Sequence, residues 1–386
     1  MTEQVVAELA ALVRDRLARG GEAVTPHLVA ETLRADGRPV GDATVLEVHR
    51  RVQAEVVGAG ALQGLLAEPG VTDVLVNGPG AAWIDRGRGL ERRSVELADD
   101  AAVRRLAQRL AALGGRRLDD ATPMVDVRLP DGTRCHAVLH PVARTGTTIS
   151  LRVPRPAGWS IEALAEHGAL VPDAVALVRR VVAARAAFLV SGGTGAGKTS
   201  LLSAMLAAVA PEERLVVVED SGELEPRHPH VVALEARTAN IEGGGVVSLQ
   251  TLVRQALRMR PDRVVVGEVR GAEVVDLLAA LNTGHEGGCG TVHANSAAAV
   301  PARLEALGMT AGLGREALHS QLGSALDLVL HVTRDRGTGR RRLAEVAVLR
   351  KDGAFVHTET AVRFAADGRV AEGPGLDRMA ALLEAR

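Results

Sequence analysis

The sequence predicts an α/β protein with two domains and a short helical segment at its N-terminus. The chain of 386 residues exceeds the length at which one hydrophobic core stops growing. Apolar residues first recur at helical spacing, then alternate with polar residues, and finally strands alternate with helices as in a parallel sheet. The predicted divisions are a helical segment at 1–65, a β-rich domain at 66–153, a linker at 154–170 and an α/β domain at 171–386.

The helical segment is predicted from apolar positions that lie three and four residues apart. EQVVAELAALVRDRLARGG ends at Gly20 and Gly21, and PHLVAETLRADG and ATVLEVHRRVQAEVVGAG repeat the pattern. Charged residues interrupt the apolar positions at the start of the chain, so no signal peptide is expected. No apolar stretch reaches the roughly 18 to 20 residues of a membrane helix, and any membrane contact is expected to be peripheral.

The β-rich domain is predicted from runs with a period of two. VTDVLVNG, AAWIDRG, DVRLPDGTRCHAVLH and TTISLRV alternate apolar with polar residues, and turn sequences such as NGPG and PDG separate them. AAVRRLAQRLAALGG interrupts this pattern with a helical one. The prediction is an antiparallel sheet with one inserted helix, followed by a linker at VPRPAGW.

Composition excludes several classes of protein. The 46 Lys and Arg residues nearly balance the 47 Asp and Glu residues, so stable binding of nucleic acid is not expected. Three Phe, two Trp and no Tyr leave almost nothing on which the bases of a single strand could stack. Two cysteines are too few for a disulfide framework, and their use suits a reducing cytoplasm.

The α/β domain contains a strong phosphate-binding motif. SGGTGAGKTS follows the strand pattern AAFLV and precedes the helix pattern SLLSAMLAAVA, which is the context that a P-loop requires. Its glycines allow the backbone N–H groups to turn toward phosphate oxygens at a helix N-terminus. Lys198 is predicted to reach the β- and γ-phosphates, and the Thr199 hydroxyl to coordinate Mg²⁺. The predicted nucleotide-binding residues of the loop are Gly193, Thr194, Gly195, Ala196, Gly197, Lys198, Thr199 and Ser200.

Acidic residues follow two buried strand patterns. RLVVVED ends at Glu219 and Asp220, and the nearby Glu223 is a second choice for the acid that faces the phosphates. RPDRVVVGEVR places Glu268 where the Walker B acid of a P-loop enzyme would stand. Adjacent side chains of a strand point to opposite faces, so Glu219 and Asp220 are expected on different faces. We favour Glu219 as the acid that faces the phosphates, with Glu223 as the substitute.

Two further groups of residues are open to more than one interpretation. Arg254 and Arg258 lie four apart in SLQTLVRQALRMRP, which predicts one helix face for either solvent, a phosphate or a subunit contact. His293 ends the short strand GTV and is a candidate for sensing the γ-phosphate or bridging to the acids. A structural histidine is the alternative. The spacing of His285, Cys289 and His293 could suggest a zinc site, but no fourth ligand lies nearby, so zinc binding is not expected.

Four motifs together resemble those of the type II and type IV secretion ATPase superfamily. They are GGTGAGKT, VVVEDSGEL, RPDRVVVGEVR and NTGHEGGCGTVHANS. LLAEPGVTDVLVNGPG and RLPDGTRCHAVLHP look most like the group called TadA or CpaF, which serves tight-adherence (Flp) pili and conjugal transfer. Cys289, Gly290 and His140 depart from the usual text of that group without obstructing the chemistry.

This resemblance implies a fold and a function. The fold would be a RecA-like P-loop NTPase domain preceded by a PAS-like α+β domain with an antiparallel sheet. The function would be that of a hexameric cytoplasmic ATPase at the inner face of the plasma membrane, which uses ATP and Mg²⁺ and docks on inner-membrane platform proteins to power pilus assembly or secretion. Association with the membrane would be peripheral, through those partners.

The resemblance also assigns roles to residues. Glu219 or Glu223, together with Glu268, would serve the metal and activate water, with Glu268 acting on Mg²⁺ through water, and His293 would sense the nucleotide. Arginines of the β-rich domain would reach the nucleotide across a domain or subunit boundary, and the residues in the matching strands are Arg128, Arg134 and Arg152. Two other functions remain open, namely a hexameric RecA-like nucleic-acid translocase and a nucleotide-binding assembly scaffold.

Overall fold

The computed structural model describes most of the chain in two compact units, Met1–Arg155 and Pro156–Arg386. The described residues are 3–20, 24–37, 41–56, 58–87, 89–153, 158–237, 244–335 and 337–385. Part of the predicted linker, 154–157, lies outside them, and the domain boundaries drawn from the sequence stay predictions. No helix among the described residues is long and apolar enough to cross a membrane.

The N-terminal unit begins with three helices that pack on one another. They are α1 (Glu3–Gly20), α2 (Pro26–Ala35) and α3 (Asp42–Val56). The Thr25 hydroxyl accepts a hydrogen bond from the Leu28 N–H, and Pro26 occupies the first turn, which explains where α2 begins. Buried Leu9, Val29 and Val48 belong to the small core of these helices. A 3₁₀ turn at Gly60–Leu62 and the short α4 (Gln63–Leu66) lead into the sheet.

The rest of the N-terminal unit is a six-stranded antiparallel sheet with one helix against it. The strands lie in the order β3-β2-β1-β6-β5-β4. Their bounds, with those of the helix, are β1 (Asp73–Asn77), β2 (Ala81–Asp85), β3 (Leu90–Ser94), α5 (Asp100–Leu113), β4 (Met124–Arg128), β5 (Arg134–Val138) and β6 (Thr148–Arg152). Alternate residues of β1 are buried under the apolar face of α5, which includes Val103 and Leu110. The antiparallel sheet with its inserted helix confirms the prediction.

The C-terminal unit is built on a nine-stranded sheet in the order β15-β14-β13-β12-β7-β11-β10-β8-β9. Its strands are β7 (Phe188–Gly192), β8 (Leu215–Glu219), β9 (Val231–Glu235), β10 (Arg263–Val269), β11 (Cys289–His293), β12 (Leu328–Arg334), β13 (Arg341–Asp352), β14 (Phe355–Phe364) and β15 (Val370–Glu372). The six strands from β9 to β12 in this order pair in parallel, as the alternating pattern predicts.

The remaining three strands of this sheet pair antiparallel, which the sequence reading did not predict. Gly353 and Ala354 form the two-residue loop between β13 and β14, and Gly353 has a φ of 57°. A glycine at the first position of a two-residue loop between two strand patterns is a hairpin signal. The signal was therefore present in the sequence, and the predicted parallel pairing does not extend to this edge of the sheet.

Helices cover both faces of the nine-stranded sheet. They are α6 (Ile161–Glu166), α7 (Pro172–Ala183), α8 (Lys198–Ala207), α9 (Leu249–Ala256), α10 (Glu273–Leu281), α11 (Val300–Thr310), α12 (Arg315–Ala325) and α13 (Leu376–Glu384). One core contains α6, α7, α8 and α13, and the other contains α9 to α12. Successive strand residues such as Phe188 and Leu189 therefore enter opposite cores.

Helix α9 is shorter than the sequence predicts. Ser248 caps it as expected, with its hydroxyl accepting from the Thr251 N–H, but the helix ends at Ala256, well before Pro261. Arg254 lies on the helix and Arg258 lies beyond its end. The expectation that both arginines share one helix face is therefore wrong.

Candidate functional site

The phosphate loop connects the buried strand β7 to helix α8. Gly195 and Gly197 have φ angles of 70° and 99°, a region that residues with a side chain rarely adopt. Gly197 is the residue before the first turn of α8, so the helix begins at Lys198 and the N-terminal N–H groups of α8 lie at the loop. The loop thus has the conformation that a phosphate-binding helix N-terminus requires.

Lys198 is held inside this loop. Only 7% of it is exposed, and its Nζ lies 3.2 Å from the carbonyl oxygens of both Gly192 and Gly193. The same nitrogen lies 3.3 Å from Nδ1 of His293. Burial lowers the pKa of Lys198, and the negative charges of Glu268 and Glu223 oppose that shift.

Glu268 and His293 meet beside Lys198. Nε2 of His293 lies 2.8 Å from Oε1 of Glu268, and these residues end neighbouring parallel strands, β10 and β11. Burial and the charge of Lys198 hold the pKa of His293 below its usual value, which favours a neutral ring. Nζ of Lys198 lies 3.5 Å from Nε2 as well, so it is near both ring nitrogens, and Oε1 of Glu268 has no hydrogen bond within the described part of the chain. A continuous chain of polar contacts therefore joins Lys198, His293 and Glu268.

Arg270 is a member of this site that the sequence reading missed. Its Nη2 donates to Oε2 of Glu268 at 2.7 Å, and its Nη1 lies 3.7 Å from Asp220. Burial raises the pKa of Glu268, but Arg270, His293 and Lys198 outweigh burial and lower it. The sequence signal for Arg270 is its position two residues after Glu268 at the carboxyl end of β10. Residues two apart in an extended chain lie on the same face, so the two side chains can meet.

Glu219 differs from Glu268 in that it is turned into the protein. Only 5% of it is exposed, and its Oε1 accepts hydrogen bonds from the N–H groups of Glu223 and Leu224, each at 3.1 Å. Burial raises its pKa to about 7. Its carboxylate therefore fixes the turn that carries Glu223, while Glu223 itself is exposed and its charge acts on Lys198 and Arg270.

Gly267 leaves space for Glu219, which links the two segments that carry acids. A Cβ on Gly267 would lie 2.5 Å from Cγ of Glu219. We expect Gly267→Ala to destabilise the protein by about 1–3 kcal/mol, the usual cost of overpacking. The measurement is the free energy of unfolding of both single variants and the double variant with Glu219→Ala, which has no Cγ. In the Glu219→Ala background the alanine at 267 should cost much less, and additive effects would contradict this account.

The predicted arginines of the β-rich domain form a row across three strands. Arg128 pairs with Arg134, and Arg134 pairs with Arg152, in the register of β4, β5 and β6. Cross-strand partners share one face of a sheet, so the three arginine side chains leave the sheet on the same face. Asp126 binds Arg134 through both of its oxygens, at 3.2 and 2.9 Å. Like charges in direct opposition destabilise a sheet, and an anion would relieve the repulsion.

The remaining predicted residues lie at different places. Thr199 and Ser200 lie in the first turn of α8, half-buried, while Thr194 and Gly193 belong to the loop before it. Arg254 is exposed and its Nε donates to Asp276 at 2.6 Å, which gives it a partner within its own chain. Arg258 is exposed beyond α9.

A cavity of about 220 Å³ lies next to the phosphate loop. Its walls include loop and helix residues, aromatic rings and a β-hairpin, represented by Ala196, Ser200, Trp159, His167, Val332 and Arg341. The rings of Trp159 and His167 meet edge to face at 5.1 Å between centroids. The cavity is mostly apolar with a few polar groups, as small-molecule sites are.

Comparison with known proteins gives a consistent result. The type II/IV secretion system protein family matches residues 55–372. A putative conjugal transfer protein of Mycobacterium tuberculosis is 63% identical over 327 residues, which are 83% of this chain and 93% of that protein. The type IV secretion system protein PtlH of Bordetella pertussis is 32% identical over 315 residues, which cover 73% of this chain and 91% of that protein.

Solved structures share the fold. The pilus retraction motor PilT with bound ADP has a TM-score of 0.52 and 19% identity, with 75% of this chain and 83% of that chain covered. The ATPase DotB of Yersinia pseudotuberculosis has a TM-score of 0.53 and 18% identity, with 84% and 82% covered. These similarities confirm the predicted fold class, while the narrower likeness to the TadA or CpaF group stays a prediction. Because the family match spans most of the chain and contains the phosphate loop, the acids and the histidine, the protein belongs to the type II/IV secretion ATPases and is an ATP hydrolase.

Proposed function

We propose that this ATPase powers pilus assembly or secretion of a macromolecule at a platform in the inner membrane. The observation that supports hydrolysis is the chain of contacts from Lys198 through His293 to Glu268, which reaches the phosphate loop from the end of the sheet. The relatives named for conjugal transfer and type IV secretion support a role in moving cargo. The protein would act in the cytoplasm and reach the membrane through platform proteins.

In the proposed reaction, each residue of the site has a defined task. Lys198 leaves the carbonyl groups of Gly192 and Gly193 to bind the β- and γ-phosphates. Glu268 accepts a proton from the attacking water, since its lowered pKa keeps it ionised at neutral pH and leaves its carboxylate free of a proton. His293, in contact with both groups, would register whether the γ-phosphate is present. Glu223 is the second acid at the phosphates, and Glu219 positions it.

The donor set suits Mg²⁺. Magnesium is usually bound by one or two carboxylates together with phosphates and water, rather than by a cage of protein ligands. Among the described residues no group of three or more His, Cys, Asp or Glu side chains could hold a metal. Thr199 would bind the ion directly and Glu268 through water. When bound with the nucleotide, the ion neutralises phosphate charge.

We further propose that the protein works as a homohexamer. The arginine row of Arg128, Arg134 and Arg152 would bind phosphate oxygens of a nucleotide held by a neighbouring subunit, which couples hydrolysis to ring assembly. Guanidinium groups suit this role because they can bind phosphate through two parallel hydrogen bonds.

The experiment is steady-state ATPase activity against protein concentration, with particle mass measured by light scattering in Mg²⁺ and a non-hydrolysable ATP analogue. Specific activity should rise as a six-subunit particle forms, and Arg134→Ala should lower the activity of that particle. Arg92→Ala, on strand β3 at the opposite edge of the sheet, is the matched control. Full activity in a monomer would refute the ring mechanism. Stimulation by single-stranded DNA would favour a nucleic-acid translocase, and absent turnover would favour a scaffold.

A further inference from the structure

The hairpin formed by β12 and β13 lies against the phosphate loop. Strand β12 pairs in parallel with β7, the strand that leads into the loop, with His331 opposite Ser191. At the far end of the hairpin, Arg334 of β12 pairs with Arg341 of β13. The two strands therefore carry a pair of arginines to the place where the phosphate loop leaves the sheet.

Three glycines of the phosphate loop are in close contact with this hairpin. A Cβ on Gly192 would lie 2.5 Å from the Val332 carbonyl oxygen, and one on Gly197 would lie 3.2 Å from Cδ of Arg341. A Cβ on Gly195 would lie 3.5 Å from Nη1 of Arg334. A side chain at Gly192 would collide with the backbone of the hairpin, and one at Gly197 would press on the side chain of Arg341. The absence of side chains at these glycines therefore allows close contact with the hairpin as well as the turn of the backbone.

Arg341 makes the direct bond to the loop. Its Nε donates to the carbonyl oxygen of Gly195 at 2.7 Å. The N–H of the same peptide unit, which belongs to Ala196, donates to the carbonyl oxygen of Gly193 at 3.3 Å. Because a peptide unit is planar, Arg341 and Gly193 hold it from opposite edges.

The carbonyl oxygen of Gly193 also accepts from Nζ of Lys198. A continuous path of hydrogen bonds therefore runs from Arg341 through the peptide unit at Gly195 and Ala196 to the carbonyl of Gly193 and then to Lys198. The loop conformation that presents Lys198 depends on a residue 143 positions later in the sequence.

We propose that Arg341 is a positioning residue for phosphate binding, which holds the peptide unit of Gly195 and Ala196 through the Gly195 carbonyl and thereby sets the loop conformation from which Lys198 reaches the phosphates. This inference rests on the proposed binding of nucleotide phosphates at this loop. The ligand class is an inorganic or nucleotide polyphosphate. The base of the nucleotide plays no part in the effect, because Arg341 acts on the loop.

The test compares Arg341→Ala and Arg341→Lys with Arg350→Ala, a control on the same strand whose side chain pairs with Glu359. Binding of magnesium pyrophosphate and magnesium ADP is measured by calorimetry, and kcat and KM are measured separately. Arg341→Ala should weaken both ligands by about tenfold or more, the effect of losing a charged hydrogen bond. Arg341→Lys should recover most of the affinity, since an ammonium can donate to the same carbonyl. Arg350→Ala should match the wild type.

A merely structural role is tested in a Trp83→Phe background, which leaves one tryptophan. Trp159 and Arg341 line the same cavity, so Trp159 emission reports whether the hairpin remains packed. The proposal expects weaker pyrophosphate binding with unchanged emission. Unchanged binding by Arg341→Ala would overturn it, as would weakened binding that lysine fails to recover. A wild-type protein that binds neither pyrophosphate nor ADP would refute the assignment of the phosphate loop itself.

Discussion

Replacing Glu268 with glutamine is expected to lower kcat by about a hundredfold to ten-thousandfold, the range that a general base contributes. Glutamine has nearly the same shape and can keep a contact with His293, but it cannot accept a proton from water. Binding of ATP should change only a few-fold, because Lys198 and the loop amides are intact. The measurement is single-turnover hydrolysis together with the equilibrium affinity for ATP.

Two further variants are needed to interpret this result, one as a control and one as a test of the second acid. Glu359→Gln alters a carboxylate of the same unit that pairs with Arg350, and we expect it to be neutral. Glu223→Gln tests the second acid, whose negative charge acts on Lys198 and Arg270. If Glu268→Gln retained wild-type turnover while Glu223→Gln lost it, the base would be Glu223, and the polar chain through His293 would have another role.

The structure also changes how the acids are ranked. From the sequence, Glu219 is preferred over Glu223, because it ends a buried strand. In the structure the backbone N–H groups of Glu223 and Leu224 both donate to the Glu219 carboxylate. The neighbouring Gly267 has no side chain, which leaves room for the side chain of Glu219. The alternation of side chains along a strand predicts on which face of the sheet each side chain lies. It does not predict that the chain will fold back and use the carboxylate as an acceptor.

Local motifs explain what could be predicted from the sequence. The loop from Gly192 to Thr199, the strand before it and the helix after it are continuous in the chain, so spacing alone predicts them. The partners that complete the loop are distant in sequence. Arg341 reaches Gly195 because β12 pairs with β7 and β13 folds back beside β12, and no pattern near the loop predicts that contact.

The second large effect is expected from Lys198→Ala, which should abolish measurable turnover and raise the Kd for ADP by about tenfold to a hundredfold. A charge-assisted hydrogen bond contributes about 1.5–3 kcal/mol, and of the two phosphates that Lys198 is predicted to reach only the β-phosphate is present in ADP. The measurement is thermal unfolding with and without magnesium ADP. A ligand at a hundred times its Kd stabilises the folded state by about 2.7 kcal/mol, so the wild-type Tm should rise clearly while that of the variant should rise less.

The chain provides its own matched control for this prediction, because Lys351 is its only other lysine. Lys351 lies exposed near the turn between β13 and β14, and Lys351→Ala should keep both turnover and the shift of Tm. Without ligand, Lys198→Ala should unfold at nearly the wild-type Tm, since removing a buried cation offsets the loss of its bonds to two carbonyl groups. An equal rise of Tm with ADP in Lys198→Ala and the wild type would show that the nucleotide binds elsewhere, and the phosphate loop would then need another ligand.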